Sequence, residues 1–153
     1  GSEMCIRDSV SQSGGHAFFF SYYAASRGAR LDKVASIGNQ CDLKVHHFIR
    51  YFAGIDRIRL IVAYIEDVAD VSALREAVES AVVAGKMVIL WKGGTTDAGA
   101  RAAASHTGAM ASIFEKEMVS IRECVNHFRR TDDQVGAAFM INGKVAGLEA
   151  FGR

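Results

Sequence analysis

Residues 58–65 read Ile-Arg-Leu-Ile-Val-Ala-Tyr-Ile, an almost wholly apolar run. A strand that is buried on both faces of a parallel sheet has this character, whereas a half-exposed strand alternates polar and apolar residues. Glu66 and Asp67 follow at once. They fall at the carboxyl end of the strand, where open α/β sheets place their ligand sites. The run therefore predicts a central parallel strand with candidate functional residues at its end.

Helical and strand patterns alternate on both sides of this strand. After it, a helix is predicted from about Val71 to Ala84 and a strand at 86–91. The apolar face predicted for that helix consists of Leu74, Ala77, Val78 and Ala81. Before it, the pattern predicts a first helix whose apolar face consists of Phe18, Tyr22, Ala25 and Ala29. A strand at 33–37 follows. A second helix is predicted to be capped by Asp42 and to end near Gly54, with an apolar face of Val45, Phe48, Ile49 and Phe52. This alternation with short links predicts a right-handed, mostly parallel, three-layer α/β fold.

Composition and charge narrow the functional classes. Half of the 153 residues are hydrophobic and 23% are charged, which is typical of a globular domain. The net charge of +1 offers no electrostatic basis for binding nucleic acid or an anionic membrane. No apolar run approaches the roughly 20 residues that span a bilayer. Three scattered cysteines, Cys5, Cys41 and Cys124, favour a reduced, cytoplasmic setting.

The first nine residues have two interpretations. Residues 4–9, Met-Cys-Ile-Arg-Asp-Ser, resemble the translated adapter tails found at the ends of proteins inferred from metagenomic sequencing. In that case residues 1–9 are a non-native tail to be left out of the fold. The sheet is then truncated, because the strand that should precede Ser11 is missing. The alternative is a natural strand that ends at Val10.

Residues 11–15, Ser-Gln-Ser-Gly-Gly, form a predicted turn between a strand and a helix. Ser13 is suited to cap the helix, and Gly14 and Gly15 let the backbone approach a ligand. Unpaired N–H groups and the helix dipole favour an anion at such an N-terminus. Taken alone, a turn of this kind is more often a simple cap than a phosphate site.

Histidines elsewhere give no metal-ligand pattern. His16 falls in the first turn of the predicted helix, where it could touch an anion, but we expect it near the surface. His46 and His47 are adjacent, so on a helix they point about 100° apart and do not share a metal as an i, i+4 pair would. We predict no metal site in this chain.

A second informative stretch runs from Gly93 to Met110, directly after the strand predicted at 86–91. It places His106 among small and hydroxylated residues, before a further helical pattern. Such surroundings suit an imidazole that carries a phosphoryl group. Without other information, a helix-capping or buried histidine would be the more common role.

Four motifs occur in order along the chain: Ser-Gln-Ser-Gly-Gly at 11–15, Ser-Ile-Gly-Asn at 36–39, Ala-Tyr-Ile-Glu at 63–66 and Ala-Gly-Ala-Arg-Ala-Ala-Ala-Ser-His-Thr-Gly-Ala at 98–109. Together they resemble the flavodoxin-like domain of nucleoside-diphosphate-forming acyl-CoA ligases. That family includes the ADP-forming acetate–CoA ligases and, more distantly, the alpha subunit of succinyl-CoA synthetase. The resemblance covers about residues 10–110, from which we assign residues 10–106 as the CoA-ligase flavodoxin-like domain.

The resemblance implies a reversible reaction in which acyl-CoA, ADP and phosphate give acid, CoA and ATP. His106 would relay the phosphoryl group, and Glu66 would accept a hydrogen bond from the imidazole to fix its tautomer. Two helix N-termini would hold the phosphate. Their residues are Ser13, Gly14 and Gly15 in one and Thr107, Gly108 and Ala109 in the other.

The resemblance also implies partners. The CoA-binding Rossmann domain and the ATP-grasp domain of the family do not occur in these 153 residues. We therefore expect these domains or subunits as partners, and no activity from this chain alone. CoA, ADP or ATP, and Mg²⁺ are expected only with them, and no cofactor is expected to be held by this chain.

Residues 107–153 have a different character. The pattern predicts a charged helix from Met110 to about Phe128, and then a β-hairpin around Asn142-Gly143, a dipeptide favoured in type I′ turns. This segment resembles the C-terminal part of an uncharacterised bacterial domain family, and residues 107–110 suit both families. A chimera of two joined sequences is one interpretation. The functional alternatives are a non-enzymatic anion-binding module and a non-functional chimeric fragment.

Overall fold

The computed structural model describes residues 6–29, 31–68, 70–93, 122, 136–141 and 144–146. Strands and helices alternate through the first 93 residues, and two strands follow near the C-terminus. The elements are β1 (Ile6–Ser11), α1 (Gly14–Ser26), β2 (Leu31–Ser36), α2 (Val45–Ala53), β3 (Ile58–Ile65), α3 (Val71–Val83), β4 (Met87–Lys92), β5 (Gly136–Ile141) and β6 (Lys144–Ala146).

The strands form one sheet in the order β2-β1-β3-β4-β5-β6. The first five are parallel and β6 is antiparallel to β5. This order is that of a flavodoxin-like sheet with a hairpin strand added at one edge. The predicted α/β fold and its β-hairpin are confirmed. The central strand has the predicted bounds, because a sequence that is apolar at nearly every position suits only a strand covered on both faces.

Two expectations about completeness of the sheet change. Residues 6–11 form a strand that lies between β2 and β3. Of the two interpretations of the N-terminal residues, the one that predicted a strand therefore gives their conformation. The first strand of the predicted hairpin pairs in parallel with β4, from Met87 opposite Gly136 to Lys92 opposite Ile141. The sheet is therefore not truncated. Its fifth parallel strand comes from residues 107–153, the segment predicted to differ in character from the rest of the chain. Of the helix predicted at 110–128, the structure describes only Arg122, which is helical.

One face of the sheet is covered by α2 and α3 over an aliphatic core. The face of α3 predicted to be buried is buried: Leu74, Ala77, Val78 and Ala81. Asp70 caps α3 by accepting a hydrogen bond from the Ala73 N–H at 2.9 Å. The cap predicted for α2 was wrong, since Lys44 and not Asp42 occupies its N-cap position.

The other face of the sheet is covered by α1 over a core rich in aromatic residues. Here the predicted helix face was wrong. Phe18 and Tyr22 are 66% and 71% exposed, and the buried residues are His16, Ala17, Phe20 and Ala24. Because apolar residues occur all round this helix, their spacing does not select one face.

In the part of the chain described, no helix has the length and apolar character needed to cross a bilayer.

Candidate anion-binding site

The turn at residues 11–15 lies at the carboxyl edge of the sheet and opens α1. Ser13 is the N-cap, as predicted, and its Oγ accepts a hydrogen bond from the His16 N–H at 3.2 Å. Ser11 Oγ donates to the Ser13 carbonyl at 2.8 Å and accepts from the Ser13 N–H at 3.2 Å. Gly14 and Gly15 are exposed as the first two residues of the helix. The N–H groups of Gly14 and Gly15 have no partner within the helix, so they suit an anion.

The side chain of Gln12 joins this turn to the end of β3. Gln12 is only 8% exposed. Its Oε1 accepts hydrogen bonds from the N–H groups of Glu66 and of Asp67, the latter at 3.0 Å. Its Nε2 donates to the Asp67 carbonyl at 3.3 Å. The structure thus brings the predicted phosphate turn and the predicted carboxylate to neighbouring strand ends.

A second glutamine extends this connection to the loop after β2. Gln40 donates from Nε2 to the Asp67 carbonyl at 3.2 Å and accepts from the Val45 N–H, which opens α2, at 3.0 Å. Its φ of 56° lies in the left-handed region, which glycine favours. Sequence reasoning missed both glutamines because their partners are distant in the chain. The only signal was the position of Gln12 inside the serine–glycine motif.

Glu66 is exposed, and its backbone is held on both sides. Gln12 binds its N–H, and the Lys92 ammonium donates to its carbonyl. Lys92 also donates to the Gly93 carbonyl at 3.1 Å. A cation at the end of β4 therefore lies at the same edge as the α1 N-terminus, and both favour negative charge there.

His16 is buried beneath this edge, contrary to the expectation that it lies near the surface. It is 2% exposed. Its ring stacks on Tyr64 with centroids 3.7 Å apart and meets Trp91 edge-on at 4.2 Å. Neither ring nitrogen has a hydrogen-bond partner among the described residues. Burial lowers the pKa of His16 to about 3, so the imidazole is neutral at pH 7. The wrong choice of helix face for α1 concealed this position.

Gly93 allows β4 to end close to Tyr64. A Cβ at this position would lie 2.1 Å from the Tyr64 hydroxyl oxygen and 2.5 Å from its Cζ, so any other residue forces a displacement. His106, Thr107, Gly108 and Ala109 lie outside the described residues. Their roles therefore remain predictions, whereas Ser13, Gly14, Gly15 and Glu66 share one edge.

The described residues contain no group of three His, Cys, Asp or Glu side chains placed to hold a metal ion. His46 and His47 lie on α2 with ring centroids 4.2 Å apart. His47 Nδ1 accepts a hydrogen bond from the Lys44 N–H at 2.9 Å, so that nitrogen has a local structural role.

The sheet order and the polar carboxyl edge define a flavodoxin-like α/β domain whose edge is suited to an anionic ligand. Comparison with known sequences identifies the group within this class. The chain belongs to the family of succinyl-CoA ligase like flavodoxin domains, with residues 8–132 matching the family. The matched range begins before and ends after the range of about 10–110 that carried the resemblance.

Individual relatives agree with this family. The chain is 32% identical over 114 residues to acetate–CoA ligase [ADP-forming] I of Archaeoglobus fulgidus, covering 74% of this chain and 16% of the relative. It is 35% identical over 106 residues to subunit alpha of acetate–CoA ligase [ADP-forming] II of Pyrococcus furiosus, covering 69% and 23%. The chain thus spans less than a quarter of the length of these relatives.

A solved structure shares the fold. The dinucleotide forming acetyl-coenzyme A synthetase 1 of Ca. Korarchaeum cryptofilum, in complex with phosphate and ADP, superposes with a TM-score of 0.58 and 26% identity. The alignment covers 75% of this chain and 26% of that protein.

Proposed function

We propose that this chain acts as the flavodoxin-like domain of a nucleoside-diphosphate-forming acyl-CoA ligase and relays a phosphoryl group through His106. Family membership and the printed names of the relatives support this class of reaction. The observation that carries the proposal is the Gln12 connection, because it brings the α1 N-terminus and Glu66 to one edge of the sheet. An anion site and a carboxylate are the two supports that a phosphohistidine needs.

In the proposed relay, one ring nitrogen of His106 attacks the phosphorus of an acyl phosphate. The bond from phosphorus to the acyl oxygen breaks, and the carboxylate leaves with that electron pair. A terminal phosphate oxygen of ADP then attacks the same phosphorus, the phosphorus–nitrogen bond breaks, and ATP forms with the imidazole restored. Glu66 holds the proton of the other ring nitrogen by accepting its hydrogen bond, which keeps the attacking nitrogen unprotonated.

Phosphorylated His106 carries about two negative charges. The N–H groups of Gly14 and Gly15, in the turn that Ser13 caps, stabilise that charge, together with those of Thr107, Gly108 and Ala109. Lys92 adds a positive charge at the same edge. CoA-binding Rossmann and ATP-grasp domains or subunits supply the sites for CoA, nucleotide and Mg²⁺. A cytoplasmic location fits these substrates.

The test is phosphorylation in a reconstituted mixture. The chain is incubated with radiolabelled ATP, Mg²⁺ and the separately purified ATP-grasp subunit of a two-subunit relative. We expect acid-labile label on the chain, and we expect His106→Asn to abolish it. His46→Asn is the matched control, because His46 lies on α2 among described residues with no part in the relay, and it should keep the label. Label that persists on His106→Asn would show the assignment to be wrong.

The same materials distinguish the two alternatives. Binding of inorganic phosphate that is unchanged by His106→Ala, with no phosphoprotein trapped, would favour a non-enzymatic anion-binding module. Broad denaturant unfolding with a low m-value would favour a non-functional chimeric fragment, since the m-value scales with the surface exposed on unfolding.

A further inference from the structure

Gln12 uses both ends of its side-chain amide to hold the backbone that carries Glu66. Its Oε1 accepts two N–H groups and its Nε2 donates to one carbonyl. Its own N–H also donates to the Tyr64 carbonyl at 3.2 Å, which fixes the Gln12 backbone against β3. A buried amide with both ends occupied has one preferred orientation, because any rotation leaves polar atoms unpaired.

These hydrogen bonds fix the backbone of Glu66 and leave its side chain free. Its N–H is bound by Gln12 and its carbonyl by Lys92, so the backbone of this exposed residue is fixed at both ends. Only its side-chain torsions remain free to aim the carboxylate. A misplacement of about 1 Å in a reacting group lowers rates by about 100-fold, so this fixation matters for any group that must orient an imidazole.

Gln40 provides an internal comparison. It donates to the same Asp67 carbonyl as Gln12, and it is also buried. Its Oε1, however, accepts from the Val45 N–H, and none of its hydrogen bonds in the described residues reaches Glu66. Both glutamines hold the loop after β3, but only Gln12 touches the residue with the candidate carboxylate.

We propose that Gln12 is a positioning residue for Glu66: its amide sets the backbone from which the Glu66 carboxylate orients the phosphoryl-accepting histidine. This inference rests on the proposed function. It concerns the second residue of the serine–glycine motif, to which the sequence assigned no role.

The experiment measures the initial rate at which the chain takes up acid-labile label from ATP in the reconstituted mixture. Gln12→Met keeps the length of the side chain and removes all three hydrogen bonds, and we expect the rate to fall about 10- to 100-fold. Glu66→Gln is measured alone and in combination with Gln12→Met. If Gln12 acts through Glu66, the double variant is slower than Glu66→Gln by no more than about threefold, because neighbouring residues that act as a unit are not additive.

Gln40→Met is the matched control. It removes a hydrogen bond to the same carbonyl and should leave the labelling rate within about threefold of the unaltered chain. Urea unfolding of each variant checks the fold, and Gln12→Asn, which keeps an amide of shorter reach, replaces Gln12→Met if that variant does not unfold cooperatively.

The outcomes separate this inference from the proposed function. Two outcomes overturn the positioning role alone, provided that the unaltered chain takes up label. In one, the rate losses of Gln12→Met and Glu66→Gln multiply in the double variant. In the other, Gln40→Met loses as much rate as Gln12→Met. No label on the unaltered chain, or no loss in Glu66→Gln, overturns the proposed relay through these residues and the positioning role with it.

Discussion

Two buried basic side chains, Lys86 and His16, lie near opposite edges of the sheet and differ in how their polar atoms are satisfied. Lys86 precedes β4 at the amino edge, and its ammonium donates to the carbonyls of Ile55 at 2.7 Å, Ile58 at 2.6 Å and Asp56 at 3.4 Å. His16 lies beneath the carboxyl edge, and both of its ring nitrogens lack a hydrogen-bond partner in the part of the chain that the structure describes. Burial lowers the pKa of each side chain.

The difference separates stability from function. At the amino edge the Lys86 ammonium donates to three carbonyls, and these hydrogen bonds contribute to the stability of the fold. Beneath the carboxyl edge, an imidazole without a hydrogen-bond partner among the described residues opposes stability, and the space beside Tyr64 leaves no room for a Cβ at position 93. This is also the edge that carries the candidate anion site.

The largest expected effect tests the amino edge. Lys86→Ala removes three hydrogen bonds that a charged donor makes to main-chain carbonyls. We expect the free energy of unfolding to fall by about 3 kcal/mol, measured by urea unfolding at pH 7.5. Arg75→Ala, at an exposed position on α3, is the control and should change stability by less than about 0.5 kcal/mol. Equal losses in both variants would contradict a special role for Lys86.

A smaller effect tests the contact at the carboxyl edge. Gly93→Ala forces its methyl group against the Tyr64 ring, which is itself packed between His16 and Trp91. We expect a loss of about 2 kcal/mol, with a change in Trp91 fluorescence as the stack shifts. Gly15→Ala is the matched control, because a Cβ there meets nothing within 4 Å and alanine favours a helix. If Gly93→Ala left the free energy of unfolding and the Trp91 fluorescence unchanged, Tyr64 would be shown to move away from the added methyl group at little cost.

The smallest effect concerns pH. His16 has a pKa of about 3 in the folded protein, below its ordinary value of 6.5, so between these values the unfolded chain binds the extra proton. Stability is therefore lost as pH falls below 6.5, by up to about 1.4 kcal/mol per pH unit from this residue.

His16→Phe tests this origin. The substitution should remove the part of the pH dependence of stability that His16 causes. At pH 7.5 it should leave the free energy of unfolding unchanged or raise it by about 1 kcal/mol, because the phenyl ring has no polar atom to leave unpaired. Urea unfolding at pH 7.5 and pH 5 measures both quantities. The same pH slope in the variant would assign the acid sensitivity to other groups, such as His46, whose pKa burial also lowers.

The elements that sequence reasoning located best are those whose residue types leave one choice. The central strand has its predicted bounds because an apolar run of that length suits a strand covered on both faces. The buried face of α3 follows from polar residues on its other sides. Ser13 was found as a cap because the chemistry of an N-cap is local.

The errors at α1 and β5 and the omission of Gln12 arose where the decisive contacts are distant in the chain. Apolar residues surround α1, so only packing on the sheet showed that His16 is inside and Phe18 outside. The parallel pairing of β5 with β4 has no local signal, since a hairpin pattern specifies its own turn and not its other neighbour. Gln12 acquired its partners only when β1 and β3 lay side by side.

The sequence by itself determined the α/β class, the central strand, the cap of α1 and the family resemblance, because these depend on local residue types and on short motifs. The tertiary structure decided that five parallel strands complete the sheet and that His16 is buried. It also decided that two glutamine amides join the loops at the carboxyl edge. These features depend on pairing and burial between distant segments, which residue types alone do not specify.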